Sequence, residues 1–162
     1  MRPAPFGIAA AVAVAAVMAT AAGIAGEAHA PHHTVVPGDA IEWGPAPPSL
    51  PPGVQAARLL GSPAEEGPFV LRLKFPAGFI VPPHMHSKDE FIVVLAGEVV
   101  IQSGEKVDEA ALDGMPTGTF FHLPSGMPHY LFAETESVVQ LNGTGPFDVR
   151  YIDPKDDPRN VD

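Results

Sequence analysis

Residues Gly78–Gly97 read GFIVPPHMHSKDEFIVVLAG, and this stretch decides both the fold and the chemistry. His84 and His86 stand in the pattern H-x-H, with Glu90 four residues further on. Alternate side chains of a β-strand share a face, so the pattern predicts two imidazoles on one side with Cα atoms about 7 Å apart. Two neutral imidazoles and a carboxylate turned into one cavity make a donor set for a divalent transition metal. Left alone in a barrel interior, the carboxylate would cost several kcal/mol and tend to protonate.

Around this stretch the apolar runs are short and separated by turn residues. They predict strands near residues 54–60, 68–75, 79–86, 90–95, 98–102, 119–123, 129–133, 138–142 and 148–152, with breaks such as GSPAEEG, DGMPTG and PSGMP between them. Many short strands with Gly/Pro turns mean an all-β sandwich or barrel. Twelve of the twenty prolines fall between Pro31 and Pro83, a density that excludes long helices there. Residues 31–53 read as an irregular proline-rich arm with one short strand near Thr34–Val36, and Trp43 as a lid over one end of the core. The charged residues 154–162 read as a loose tail.

The first thirty residues have another character. Arg2 is the only charge before Glu27, and IAAAVAVAAVMA lies between them. This is the layout of a secretory signal peptide, with cleavage after Ala28 or Ala30, or retention as an anchor, left open. Export places the mature chain in the periplasm or outside the cell. The chain of 162 residues has a net charge of −10 and no cysteine. That charge argues against nucleic acid and anionic membrane surfaces as partners, and the absence of cysteine leaves neither disulfides nor thiolate ligands. His29, His32 and His33 cluster next to the cleavage region; a Cu(II) site built on His33 and a new amino terminus is the weaker reading of them.

The pattern Gly78-x5-His84-x-His86-x3-Glu90-x6-Gly97 resembles the first signature of the cupin superfamily at every fixed position. Gly118-x5-Pro124-x-Gly126-x2-His129 resembles the second, except that Ala133 stands where the signature has asparagine. The ending GTGPFDVRYIDPKDDPR is similar to that of small exported bacterial single-domain cupins. The resemblance covers roughly residues 54–152 and implies a double-stranded β-helix, a jelly-roll barrel, over 54–153. It implies that His84, His86, Glu90 and His129 meet on one metal, with Fe, Mn, Cu, Ni, Co and Zn all suited to the donors. It also suggests a homodimer paired through an edge strand.

Three classes of function follow. One is a metal-dependent oxidoreductase of dioxygenase type on a small aromatic or diketone-like substrate. Another is a metal-dependent isomerase or lyase, with His122 as its catalytic base and Tyr130 behind it. The third is a non-catalytic module that binds or senses a metal or small ligand. Phe79, Ile92, Val94, Phe120 and Phe132 read as core or pocket lining. Gln140 and Asn142 read as ligand contacts or barrel hydrogen bonds, and Asp108, Glu109 and Asp113 as a solvated acidic loop.

Overall fold

Period-two alternation of apolar side chains, visible already along FVLRLKF, builds the sheets. The computed structural model describes residues 33–108, 110 and 113–160. The expected leader of residues 1–30, with Ala28, Ala30 and His29, lies outside the described residues, as do His32 and Glu109. From Thr34 onward the chain forms one compact unit. Its strands are β1 (Gly44–Pro45), β2 (Gln55–Leu60), β3 (Gly67–Phe75), β4 (Phe79–Met85), β5 (Glu90–Ala96), β6 (Glu98–Ser103), β7 (Met115–Pro116), β8 (Phe120–Leu123), β9 (His129–Ala133), β10 (Ser137–Gly145) and β11 (Arg150–Tyr151).

They form two antiparallel sheets, one in the order β1-β2-β3-β10-β5-β8 and the other β11-β4-β9-β6-β7. Phe69, Leu71, Leu73 and Phe75 of β3 point inward and meet Ile92, Val139 and Leu141 of their own sheet and Val81, Ile101 and Leu131 of the other. Each such side chain contributes roughly 1.5–3 kcal/mol when removed from water, and the two facing layers make a jelly-roll core. Each of the nine expected strands is present to within a few residues, and two two-residue strands join them.

Three expectations change. Residues 34–36 are not a strand; the arm instead pairs through Gly44–Pro45 with Gln55 and Ala56. Trp43 is not a lid over the core. The Lys74 ammonium sits 4.5 Å from its ring centroid, and Lys74 alternates with the inward Leu73 and Phe75, so Trp43 covers the outer face of the sheet. Residues 154–160, expected to be loose, form two short 3-10 turns. Asp153 caps the first through the Lys155 amide at 3.0 Å, and Arg159 bonds both Asp157 and the Val149 carbonyl, so local polar side chains hold what apolar burial does not.

Two motif glycines place β5 and β4. Gly97 turns the chain from β5 into β6 at φ +73°, and a Cβ there would collide with the Glu136 carbonyl and Ser137 Oγ. Ser137 is fully buried, and its hydroxyl ties the turn by accepting from the Glu98 amide and donating to the Glu98 and Thr135 carbonyls. Gly78, at φ +76°, has open space where a Cβ would stand. Gly78→Ala is expected to cost about 1–2 kcal/mol, the left-handed backbone penalty alone, and Gly97→Ala clearly more. Urea unfolding of the two variants side by side checks that order; equal losses would show that the contact at Gly97 is relieved without cost.

Candidate metal centre

The H-x-H segment faces inward only because its strand is irregular. Val81 points into the core opposite Leu131, and strict alternation from there would send His84 and His86 outward. Between Val81 and His84, β4 uses three steps where β9 uses two. This one-residue bulge falls at Pro82–Pro83, which have no N–H to give to the ladder, and it inverts the alternation. His84 therefore sits directly opposite His129, the first residue of β9, and Glu90 opens β5 in the other sheet.

All four side chains are buried, at 5% exposure for His84 and His86 and 3% for Glu90 and His129. Ligating nitrogens of the three histidines lie within 4.8 Å of one another, a cluster able to hold a metal ion. Glu90 Oε2 stands 3.2 Å from His86 Nε2 and 3.3 Å from His129 Nε2. Each imidazole is fixed from behind by a backbone carbonyl that accepts from its Nδ1: Pro82 for His84 at 2.8 Å, Asp148 for His86 at 2.6 Å, and Met127 for His129 at 3.0 Å. A carbonyl can only accept, so Nδ1 carries the proton and, in the neutral ring, Nε2 presents a lone pair to the centre.

The consequence is a local conflict. His86 Nε2 and Glu90 Oε2 are buried side by side without a hydrogen bond between them. Two buried lone pairs facing each other repel, and either a proton or a cation between them removes the repulsion. The titration preferences record this pull. Burial first, and then the neighbouring His129 and His86, push His84 down to about 3, so this ring stays neutral. For Glu90 burial opposes ionisation, but the imidazoles of His129 and His86 outweigh it and hold the carboxyl at about 2. For His86 burial opposes charge, yet Glu90 and the Asp148 carbonyl outweigh it and raise the ring above its ordinary value. Three imidazole nitrogens and an ionised carboxylate at one point suit a borderline divalent ion.

The donors border a cavity of about 680 Å³. Its inner wall is aliphatic and aromatic, including Leu73, Phe75, Val81, Leu131 and Val139, and its rim is drawn from the arm (Pro47, Ser49), the β2–β3 connection and the chain around Asp148 and Arg159. Phe147 lies between wall and metal site, stacked on His86 with centroids 4.3 Å apart and edge-on to Phe69. Asp148 supplies more than its carbonyl: its carboxylate accepts from the Ser87 amide and hydroxyl and pins the residue that follows His86.

Other expected residues go elsewhere. His122 is not at the cavity. On β8 Leu123 takes the buried position, which turns His122 outward, where it bonds Asp89 at 3.0 Å and stacks on Phe91. A base for a bound substrate cannot act from there. Tyr130 is buried, but its hydroxyl is engaged by Gln102 and the Asp108 amide. Gln140 and Asn142 bond each other, Arg72 and the Phe91 carbonyl, as barrel hydrogen bonds. Phe120 is 59% exposed and belongs to no lining. Ala133, in place of the signature's asparagine, is fully buried, and its carbonyl accepts from the Gly78 amide at 2.7 Å. Phe147, Asp148 and the arm residues at the rim carry no pattern of their own in the sequence; the only hint was the PFD run after a glycine-rich turn.

Comparison with known proteins agrees with the barrel. The polyketide cyclase RemF from Streptomyces resistomycificus superimposes with a TM-score of 0.62 at 17% identity, over 78% of this chain and 90% of that one. An acetylacetone dioxygenase from Acinetobacter johnsonii gives 0.58 at 20% identity, over 78% and 80%. An RmlC-like cupin from Shewanella frigidimarina gives 0.54 at 15% identity, over 70% and 91%. At such identities the likeness is one of fold. No curated protein sequence matches the chain. The family described as a domain of unknown function, DUF4437, matches residues 35–162. The chain thus belongs to the DUF4437 family, and its barrel is that of a cupin.

Proposed function

We propose that this metal-dependent cupin is a dioxygenase-type oxidoreductase acting on a small diketone-like or aromatic substrate, with His84, His86, Glu90 and His129 as its metal ligands. The observation that carries the reading is the convergence of three Nε2 lone pairs and an ionised carboxylate on one point of a cavity whose inner wall is apolar. A transition metal held by these four residues would supply Lewis acidity and redox chemistry toward oxygen. The chain's own residues do the rest. The backbone carbonyls of Pro82, Met127 and Asp148 keep the imidazoles in the ligating tautomer. Glu90, held ionised, is placed to take a proton from a carbon acid that enters beside it. The aliphatic wall keeps bulk water from the reacting carbon and suits a compact apolar body. That one neighbour of the same fold is an acetylacetone dioxygenase supports a β-diketone as the first compound to try.

A metal-dependent isomerase or lyase was the competing catalytic expectation. It needed a second proton-shuttling group, and both candidates, His122 and Tyr130, point away from the cavity.

Metal binding is expected to stabilise the fold. At a hundred times the dissociation constant it adds about 2.7 kcal/mol, which should raise Tm by about 5–10 °C and be reversed by a chelator. Affinity should weaken as pH falls from 8 to 6, with protons released on binding, because the raised His86 takes up a proton that competes with the metal. Glu90→Gln keeps the shape and removes the charge, and should weaken binding about tenfold or more. Competition with a chromophoric chelator at pH 8, 7 and 6 measures both effects; an affinity independent of pH and unchanged in Glu90→Gln would remove this site as the metal's.

The catalytic reading is tested with an oxygen electrode. Protein loaded in turn with Fe, Mn, Co, Ni, Cu and Zn is offered acetylacetone, longer alkyl diketones and an aryl diketone. Uptake that depends on metal and substrate together, and is lost in His84→Ala, is the expected result. A protein that keeps its metal through the whole panel and consumes no oxygen is a binding module instead.

A further inference from the structure

We infer that the ligand of this cavity carries a carboxylate at the end away from the metal, and that Arg58 at the rim is the residue that selects it. Arg58 stands opposite Leu71 in the β2–β3 ladder. Residues directly opposite on neighbouring strands share a face, and Leu71 faces the core. Ala56, two residues earlier on the same face, packs against the core and lines the cavity with Arg58. Arg58 itself is exposed, which puts its guanidinium at the rim rather than in the interior.

The other charged groups of the lining are already committed. Arg159 donates to Asp157 at 2.7 Å and to the Val149 carbonyl at 2.8 Å. Asp148 is engaged by Ser87 and Arg150, and Glu90 by the histidines. Arg58 forms no ion pair or hydrogen bond among the described residues. Glu42, which borders a second, shallow groove together with Arg58, does not pair with it either. A guanidinium offers a planar fork of donors that matches a carboxylate, and the aliphatic wall between rim and histidines can match no charge. The complementary ligand therefore has a chelating head, an apolar middle lying along Leu71 and Leu141, and an anionic end. β2 is three strand spacings from β5, about 14 Å, so the anionic end is separated from the chelating head by a spacer.

The inference rests on the diketone reading for the chelating head, and the test separates the two. Full-length protein loaded with zinc, which has no redox chemistry, is titrated calorimetrically with heptane-2,4-dione, with 4,6-dioxoheptanoate and with longer ω-carboxylated β-diketones. At least one carboxylate should bind about fivefold or more tightly than the uncharged diketone of the same chain. Arg58→Gln should abolish that preference and leave heptane-2,4-dione binding unchanged, which also shows that the variant is folded; Arg58→Lys should keep part of it. Equal affinity for charged and uncharged ligands, or a preference that survives Arg58→Gln, overturns the inference and leaves the diketone reading standing. Arg58-dependent preference without oxygen uptake in the iron or manganese protein does the reverse. Failure of every diketone to bind overturns both.

Discussion

The structure depends on two buried acceptors, Glu90 Oε2 and His86 Nε2, that only a proton or a cation between them reconciles. Glu90 and His86 are buried 3.2 Å from each other, with the imidazole Nδ1 proton already given to the Asp148 carbonyl. A fold that sought only stability would fill these positions with aliphatic side chains, since buried ion pairs seldom beat apolar packing of the same volume. Three backbone carbonyls, a bulge at two prolines and an aromatic ring stacked on His86 all hold the conflict in place. An arrangement so over-determined is organised toward a cation between the donors, and the electrostatic preferences of Glu90 and His84 follow from the same packing.

Much of this was legible in the sequence, for physical reasons that differ from residue to residue. Strand positions could be read because apolar residues alternate on β3, β5 and β10 and the turns are written in glycine and proline. The donors could be read because H-x-H, Glu90 and His129 stand at fixed distances from four glycines and a proline. The inward direction of His84 and His86 could not be obtained from alternation. Counted from Val81 it gives the opposite answer, and only the bulge at Pro82–Pro83 restores it. His122 shows the same weakness in reverse: expected as a base at the site, it pairs with Phe91 in the ladder and turns outward. A face assignment by parity is only as good as the register it starts from.

The groups that hold the imidazoles were invisible for a different reason. All three are backbone carbonyls, and a carbonyl has no signature in a sequence. Asp148 is 62 residues from the ring it fixes. In the tail and the arm, order rests on local polar and cation–ring contacts that composition does not reveal. Residues 154–160 are charged and yet well bonded, since Asp153 and Asp157 each accept from the backbone amide two residues further on. Trp43 found a cation on the outer sheet face rather than a place over the core.

The two ends of the cavity pose a question about long-range and short-range charge. With a net charge of −10 the protein as a whole repels an anion. That field is screened beyond roughly 8–10 Å in physiological salt, so it slows the approach of an anionic ligand more than it weakens the complex. Inside that distance the local arrangement decides. At the rim, Arg159 is held by Asp157 and Asp148 is held by Arg150 and Ser87, so those charges cancel in place. What remains is the guanidinium of Arg58 on one side and, across an aliphatic wall, a cluster organised to keep a cation. An apolar body fits anywhere along that wall, but only a ligand polar at both ends is held in one orientation. The barrel thus sets what can enter, and its two charged ends set which way it lies.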